Sequence, residues 1–308
     1  MPFITGSANS IPELRTALLN GLVANGWTLD GNVIYKGDVF VEVTIPTGEA
    51  YGENRMLRFL GGTSQAAGAL SGPAISGPRV GFTATSWAWP VAYNLHILTD
   101  PDEIYFFIRP VTNDYQFAAF AQSNVAGLPG TGNWVTATYA DLGRKGSLNG
   151  ISSIGGGTSD VGSWDAPWAP FWGGGIIASE HNTVLHDGLD DDGWTAGSGF
   201  STVMSSLNAA QTIAPLLDRS PSNWNGEAVL LPIQPFLLRP SNKVSMVGDL
   251  AHARFLRIDN YAPEEIIDLN PDFWMVYPFR SKNTTERDGG GGITHTGTFG
   301  WAIRYDGP

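Results

Sequence analysis

Five histidines, one run of aspartates, several glycine-rich loops and scattered carboxylates are the residues of this chain whose types could do chemistry. The histidines are His96, His181, His186, His252 and His295. His181 and His186 stand five apart, which puts them on opposite faces of a strand and about 140° apart on a helix, so neither geometry chelates a metal. The chain contains no cysteine and no HExxH pattern. That removes thiolate ligands, thiolate nucleophiles and disulfides. The densest acidic run is HDGLDDDGW, His186 to Trp194. Clustered oxygens suit calcium, so Asp187, Asp190, Asp191 and Asp192 are the side chains that would hold one. Leu189 interrupts the alternation that an EF-hand loop needs, and the bland alternative is a solvated turn. No other cofactor is expected.

The loops LGGTSQAAG and DGGGGIT have the glycine content of phosphate cradles. No Gly-Lys-Ser/Thr follows the first, and neither leads from a strand into a helix, so both read as structural. A glycosidase needs two carboxylates flanking one sugar. Asp165, Glu180, Asp187, Glu264 and Glu265 are available, and no motif pairs any two of them. No nucleophile-elbow pattern G-x-S-x-G occurs. The aromatic-rich loops SWAWP, DAPWAPFWGGG and SNWNGE could stack on sugars or on a neighbouring chain. With the terminal run they single out Trp87, Trp89, Trp168, Phe171, Trp172 and Trp301, each of which could equally be a core anchor.

The elements that must position these residues are mainly strands. The chain has 308 residues, 42% hydrophobic and 15% charged, with 39 Gly, 20 Pro, 11 Trp, 9 Tyr and 15 Phe. This is the composition of a globular chain with many turns between short strands. The 29 acidic residues outnumber 17 basic ones for a net charge of -12, so direct contact with nucleic acid is disfavoured. No apolar run is long enough to span a membrane as a helix, and the opening MPFITGSANS lacks the features of a secretory leader. Synthesis in a cytoplasm is the expectation, with retention there unless the chain is carried out as part of something larger.

One helix is well marked. In SIPELRTALLNGLVANG, Ser10 and Glu13 have capping-box spacing, Pro12 lies in the first turn, Leu14, Leu18 and Leu22 share a face, and Gly26 is placed for a left-handed cap. WTLDGNVIYKGDVFVEVTIP then reads as a small meander with turns at Asp30-Gly31 and Gly37-Asp38. Residues 61 to 81 read as a surface loop of small residues. Strands follow at Val91 to Leu98, Ile104 to Arg109 and Tyr115 to Ala121, then at NWVTATYA and GIIAS. VMSSLNAAQTIAPLL suggests a short helix, and EAVLLPIQPFLLRP, ARFLRID and FWMVYPFRS suggest further strands. The chain closes on GITHTGTFGWAIRYDGP, whose Phe299, Trp301, Ile303 and Tyr305 alternate with small or polar residues. That alternation predicts a half-buried terminal strand held in a sheet. The expected fold is mainly β, with sandwich- or barrel-like sheets and a small N-terminal α+β module. The expected divisions are 1–47, 48–225 and 226–308.

Two stretches carry a resemblance. One is YNLHILTDPDEIYFFIRPVTNDYQFAAFAQSN with the GTGNWVTATY that follows it. The other comprises RSPSNWNGEAVLLPI, RPSNKVSMVGDLAHARFLRIDNYAPEEIIDLNPDFWMVYPFRSKN and GGGGITHTGTFGWAIRYDGP. Both resemble structural proteins of tailed-bacteriophage virions, of the kind encoded among tail and baseplate genes. The resemblance implies a non-enzymatic virion component of a tail, baseplate or tail tip, with copies of itself and other virion proteins as partners. A host-receptor or carbohydrate-binding adhesin on the same particle, meeting a host surface glycan, is the alternative. A glycan-cleaving enzyme is the second.

Overall fold

The computed structural model describes residues 2–47, 54–74, 76–82, 86–112, 114–141, 171, 181–189, 193–196, 207–208, 229–239, 243–258, 260–279, 282 and 299–306. β1 (Phe3–Ala8) leads into α1 (Ile11–Ala24). The Ser10 hydroxyl caps the helix by accepting from the Glu13 amide at 3.2 Å. The Glu13 carboxylate reaches back to Asn9, accepting from its backbone N–H at 2.8 Å and its side-chain amide at 2.9 Å. The reciprocal half of the expected box therefore closes one residue earlier than usual. At the far end Trp27 N–H donates to the Leu22 carbonyl and Gly26 N–H to that of Val23, the paired bonds of a Schellman ending. Gly26 sits at φ +86, which glycine adopts without a Cβ clash. Leu14, Leu18 and Leu22 are wholly buried.

The meander is β2 (Thr28–Asp30), β3 (Val33–Lys36) and β4 (Val39–Thr44). Val39, Val41 and Val43 alternate inward along β4. β5 (Met56–Gly62) pairs with β4. The stretch 61–81 is not the surface loop its small residues suggest. It holds the end of β5, a hairpin of β6 (Ser64–Ala66) and β7 (Ala69–Ser71), and β8 (Arg79–Gly81). Small residues here permit close approach: a Cβ on Gly62 would overlap the Leu70 side chain, which packs against the core.

β9 (Val91–Leu98), β10 (Glu103–Val111), β11 (Asp114–Gln122) and β12 (Asn133–Asp141) follow, then β13 (His181–His186) and β14 (Trp194–Ala196). These strands make one sheet in the order β1-β9-β10-β11-β12-β8-β5-β4-β3-β2, with β13 and β14 branching from β12. All its pairings are antiparallel. The sheet curls, so that Val41 and Phe59 share one core with Phe120, Val135 and the buried face of α1. The N-terminal α+β portion is present, and its strands are continuous with the large sheet across residue 47.

The remaining strands are β15 (Leu207–Asn208), β16 (Leu231–Pro232), β17 (Phe236–Arg239), β18 (Lys243–Met246), β19 (Ala253–Arg257), β20 (Ile266–Asp268), β21 (Phe273–Pro278) and β22 (Phe299–Arg304). One small sheet runs β15-β17-β18 and another β16-β19-β22-β21-β20. Leu207 and Asn208 lie where the sequence suggests a short helix. They pair with β17 instead, and the rest of that stretch is outside the described residues, as is GIIAS.

The five-stranded sheet packs on the large one. Tyr105, Phe107, Phe117 and Trp134 from the large sheet meet Phe255, Met275, Tyr277, Trp301 and Ile303. Phe107 and Tyr277 stack at 3.6 Å between centroids, 4° from parallel. β22 lies between β19 and β21, so the run that ends the chain is a central strand. Trp301, Ile303 and Tyr305 face the intersheet core, and Ala302 faces a third cluster with Leu256, Trp274 and Val276. The intersheet core draws residues from both sides of the boundary expected near 225, so that boundary does not separate one core from another.

Candidate functional site

The aromatic side chains singled out by sequence fall into two groups. Trp301 and Phe171 are wholly buried in the intersheet core. Trp301 stands edge-on to Phe117 at 4.7 Å and to Phe107 at 5.3 Å, and Phe171 stands edge-on to Trp134 at 5.5 Å. Both are covered by their own chain, where neither a sugar nor a neighbour reaches them. Trp87 and Trp89 are half-buried, 5.6 Å apart, and gather with Phe82 against the core of the large sheet. Arg55 lies 5.8 Å from the Phe82 ring, which places a cation on this surface cluster. Trp168 and Trp172 lie outside the described residues.

The acidic candidates among the described residues are likewise employed in the fold. Asp187 is wholly buried. It accepts from the Thr195 hydroxyl at 2.6 Å and the Leu189 amide at 2.9 Å, which fastens the turn before β14. Asp190, Asp191, Asp192, Asp165 and Glu180 lie outside the described residues. Among the described residues no group of three or more His, Asp or Glu is placed to hold a metal ion. His186 accepts from the Thr131 amide at 2.9 Å. Glu265 accepts from the Ala262 amide at 2.7 Å. Glu264, held at φ +67, accepts from Arg109 at 3.2 Å and from the Tyr115 hydroxyl at 3.1 Å.

A buried polar seam joins the two packed sheets, and no motif marks it in the sequence. Glu103 opens β10 and is 1% exposed. One carboxylate oxygen accepts from the Ala251 amide at 2.8 Å; the other accepts from the Tyr105 hydroxyl at 2.7 Å and the His252 amide at 3.0 Å. Burial pushes this carboxyl up to about 7, against the pull of those three donors and of Arg254. Nearby, His96 Nε2 lies 2.8 Å from the Tyr277 hydroxyl, to which Asn94 also donates at 3.1 Å. Burial holds His96 down to about 3, so it is neutral. Burial also pushes the Tyr105 and Tyr277 hydroxyls well above the usual phenol range. These perturbed groups are sealed from solvent, and their hydrogen bonds run from sheet to sheet. The seam is a fastening.

The surface differs at β18 and β20, the outermost strands of the two small sheets among the described residues. β18 is the edge of its sheet, and Val244 and Met246 on it are 60% and 49% exposed. β20 is the edge of the other. Ile266 on it, Leu269 in the following turn and Phe273 at the start of β21 are also exposed. An open edge bears unpaired backbone donors and acceptors, and apolar side chains beside it make a template for another chain. Alternation reveals a strand but not whether it is an edge, so nothing in the sequence singles out these five residues. No protein-family model matches the chain, and no curated protein matches it.

Proposed function

We propose that this chain is a structural component of a tailed-phage particle, in the tail or baseplate region, that joins copies of itself or neighbouring virion proteins through β18 and the β20–β21 hairpin. The observation that carries the reading is the exposure of Val244, Met246, Ile266, Leu269 and Phe273 on and beside β18 and β20, the outermost strands of their sheets among the described residues. Apolar groups beside open backbone favour contact with protein. The resemblance of residues 93–124, 130–139, 219–233, 239–283 and 289–308 to virion proteins gives that contact its setting. In a ring, symmetry reuses one such edge at every interface. The role asks no catalysis of the chain.

Sedimentation velocity and light scattering test the contact. The purified chain is expected to associate as its concentration rises. Val244→Glu combined with Ile266→Asp should abolish association while the far-UV spectrum and thermal melt stay those of the parent. Mass spectrometry of purified particles tests the setting. A chain that stays monomeric at high concentration and is missing from particles would refute the proposal.

A further inference from the structure

A cleft opens at one end of the large sheet, where the β3–β4 turn, the β9–β10 turn and the end of β11 converge. Its volume is about 560 Å³, within the usual range for small-molecule pockets. Two features separate it from an ordinary surface hollow. The first is that its frame is fixed. Lys36 Nζ lies 2.6 Å from Asp102, the Gln122 amide donates to the Thr131 carbonyl at 2.9 Å, and the Ser123 hydroxyl donates to the Val247 carbonyl at 2.6 Å. The second is that polar groups in its wall are unspent. Among the described residues, the side chains of Thr99, Asp100 and Asn124 make no hydrogen bond or ion pair. Asp100 is also held at φ +60, a conformation that a non-glycine residue keeps only when its surroundings enforce it.

From these groups we infer that the cleft binds a neutral, hydroxyl-rich ligand of the saccharide class. A carboxylate accepts, an amide both donates and accepts, and a hydroxyl does either. Asp100, Asn124 and Thr99 together match the vicinal hydroxyls of a sugar, while Lys36 and Asp102 add a donor and an acceptor at fixed positions. Pro101 supplies apolar surface for the C–H face of a ring. Charge discriminates among ligands. Asp100 and Asp102 outnumber Lys36, so phosphate or sulfate meets repulsion. A polyamine or basic peptide finds Lys36 in its way. Neutral hydroxyls use both signs of partner. The cleft is open and wetted, so binding in the millimolar range is expected. The inference does not rest on assembly through the sheet edges.

The test is a titration of the ¹⁵N-labelled full chain, followed by amide chemical shifts. The probes are the methyl glycosides of glucose, galactose, mannose and N-acetylglucosamine, with inorganic phosphate and spermidine as the anionic and cationic probes. At least one glycoside should give saturable shifts centred on Gly37, Thr99, Asp100, Asp102, Ser123 and Asn124. Asp100→Ala and Asn124→Ala should each weaken that binding about tenfold or more, as loss of a hydrogen bond to a charged or amide partner requires. Asn124→Ala should melt as the parent does, because that side chain does not hold the fold, and Asp100→Ala should melt only slightly lower, because alanine sits less easily than aspartate at φ +60. An oligosaccharide from a bacterial surface polysaccharide, titrated in parallel, separates the sources: tighter binding than the glycosides assigns the cleft to a surface glycan, equal binding to a free sugar. The inference is overturned if no glycoside saturates, if the shifts lie elsewhere, if both variants bind as the parent does, or if spermidine or phosphate binds in place of sugar. Sedimentation of Asp100→Ala should match the parent, so failure here is distinguishable from failure of the assembly reading.

Discussion

Glu103 shows how one buried carboxyl couples this fold to pH. Its folded value, about 7, lies above the ordinary 4.5. Between those values the folded chain keeps a proton that the unfolded chain has released, so the contribution of Glu103 is present in full below 4.5 and is lost as pH rises through 7. His96 acts in the opposite sense. Its folded value of about 3 lies below the ordinary 6.5, so its contribution is present above 6.5 and is lost as pH falls through 3. The stability advantage of the parent over Glu103→Gln should therefore shrink by about 1.4 kcal/mol per pH unit between pH 4.5 and 7. Urea titrations of both chains across that window measure it, and a constant difference would contradict the assignment. Gly300 makes a second residue-scale case. A Cβ there would overlap the Tyr277 carbonyl oxygen on β21. Backbone cannot swing aside as a flexible side chain does, so Gly300→Ala should cost about 2 kcal/mol or more, read as a lowered urea midpoint.

At the scale of elements, α1 is the piece whose sequence and structure agree most closely. Its cap is a single hydroxyl on the Glu13 amide. Ser10→Ala should lower stability by about 1 kcal/mol, while Ser10→Asp should keep most of it. The helix buries Leu14, Leu18 and Leu22 against the curled sheet, so the loss should appear in global unfolding and not as local fraying. β18 and β20 behave differently, because their exposed residues hold little of the core. Charged substitutions there should leave unfolding midpoints within about 0.5 kcal/mol of the parent and change association instead. That separation of readouts distinguishes an edge that meets neighbours from one that merely ends a sheet.

For the molecule as a whole, β22 closes the structure. It pairs with β19 on one side and β21 on the other, and it carries Trp301 into the contact between sheets. A chain stopped before Phe299 would lose the middle of the five-stranded sheet and uncover Tyr105, Phe107 and Phe117. Such a truncation is expected to bind hydrophobic dye and to lose its cooperative melt while retaining strand signal in the far ultraviolet. A sharp, dye-free melt of the truncated chain would mean that the large sheet folds without its cover.

The sequence alone determined what depends on neighbours along the chain. The Ser10 cap, the Gly26 ending, the turns of the β2–β4 meander, the runs of β9 to β11, the alternation of β22 and the mainly β class all follow from local periodicity and turn chemistry. Side-chain period and backbone φ are short-range properties, so they can be read in order. The tertiary structure decided what depends on residues far apart. Residues 61–81 become strands because β6 pairs with β7 and β8 pairs with β5 and β12. Trp301 and Phe171 become core because another sheet covers them. Glu103 acquires its unusual proton because the packing of distant segments against β10 buries it, against the pull of amides 148 and 149 residues away. Thr99, Asp100 and Asn124 share a cleft because three separate turns end at the same place. Burial, edges and clefts arise from which strands pair and which faces pack, and that information is distributed over the whole chain.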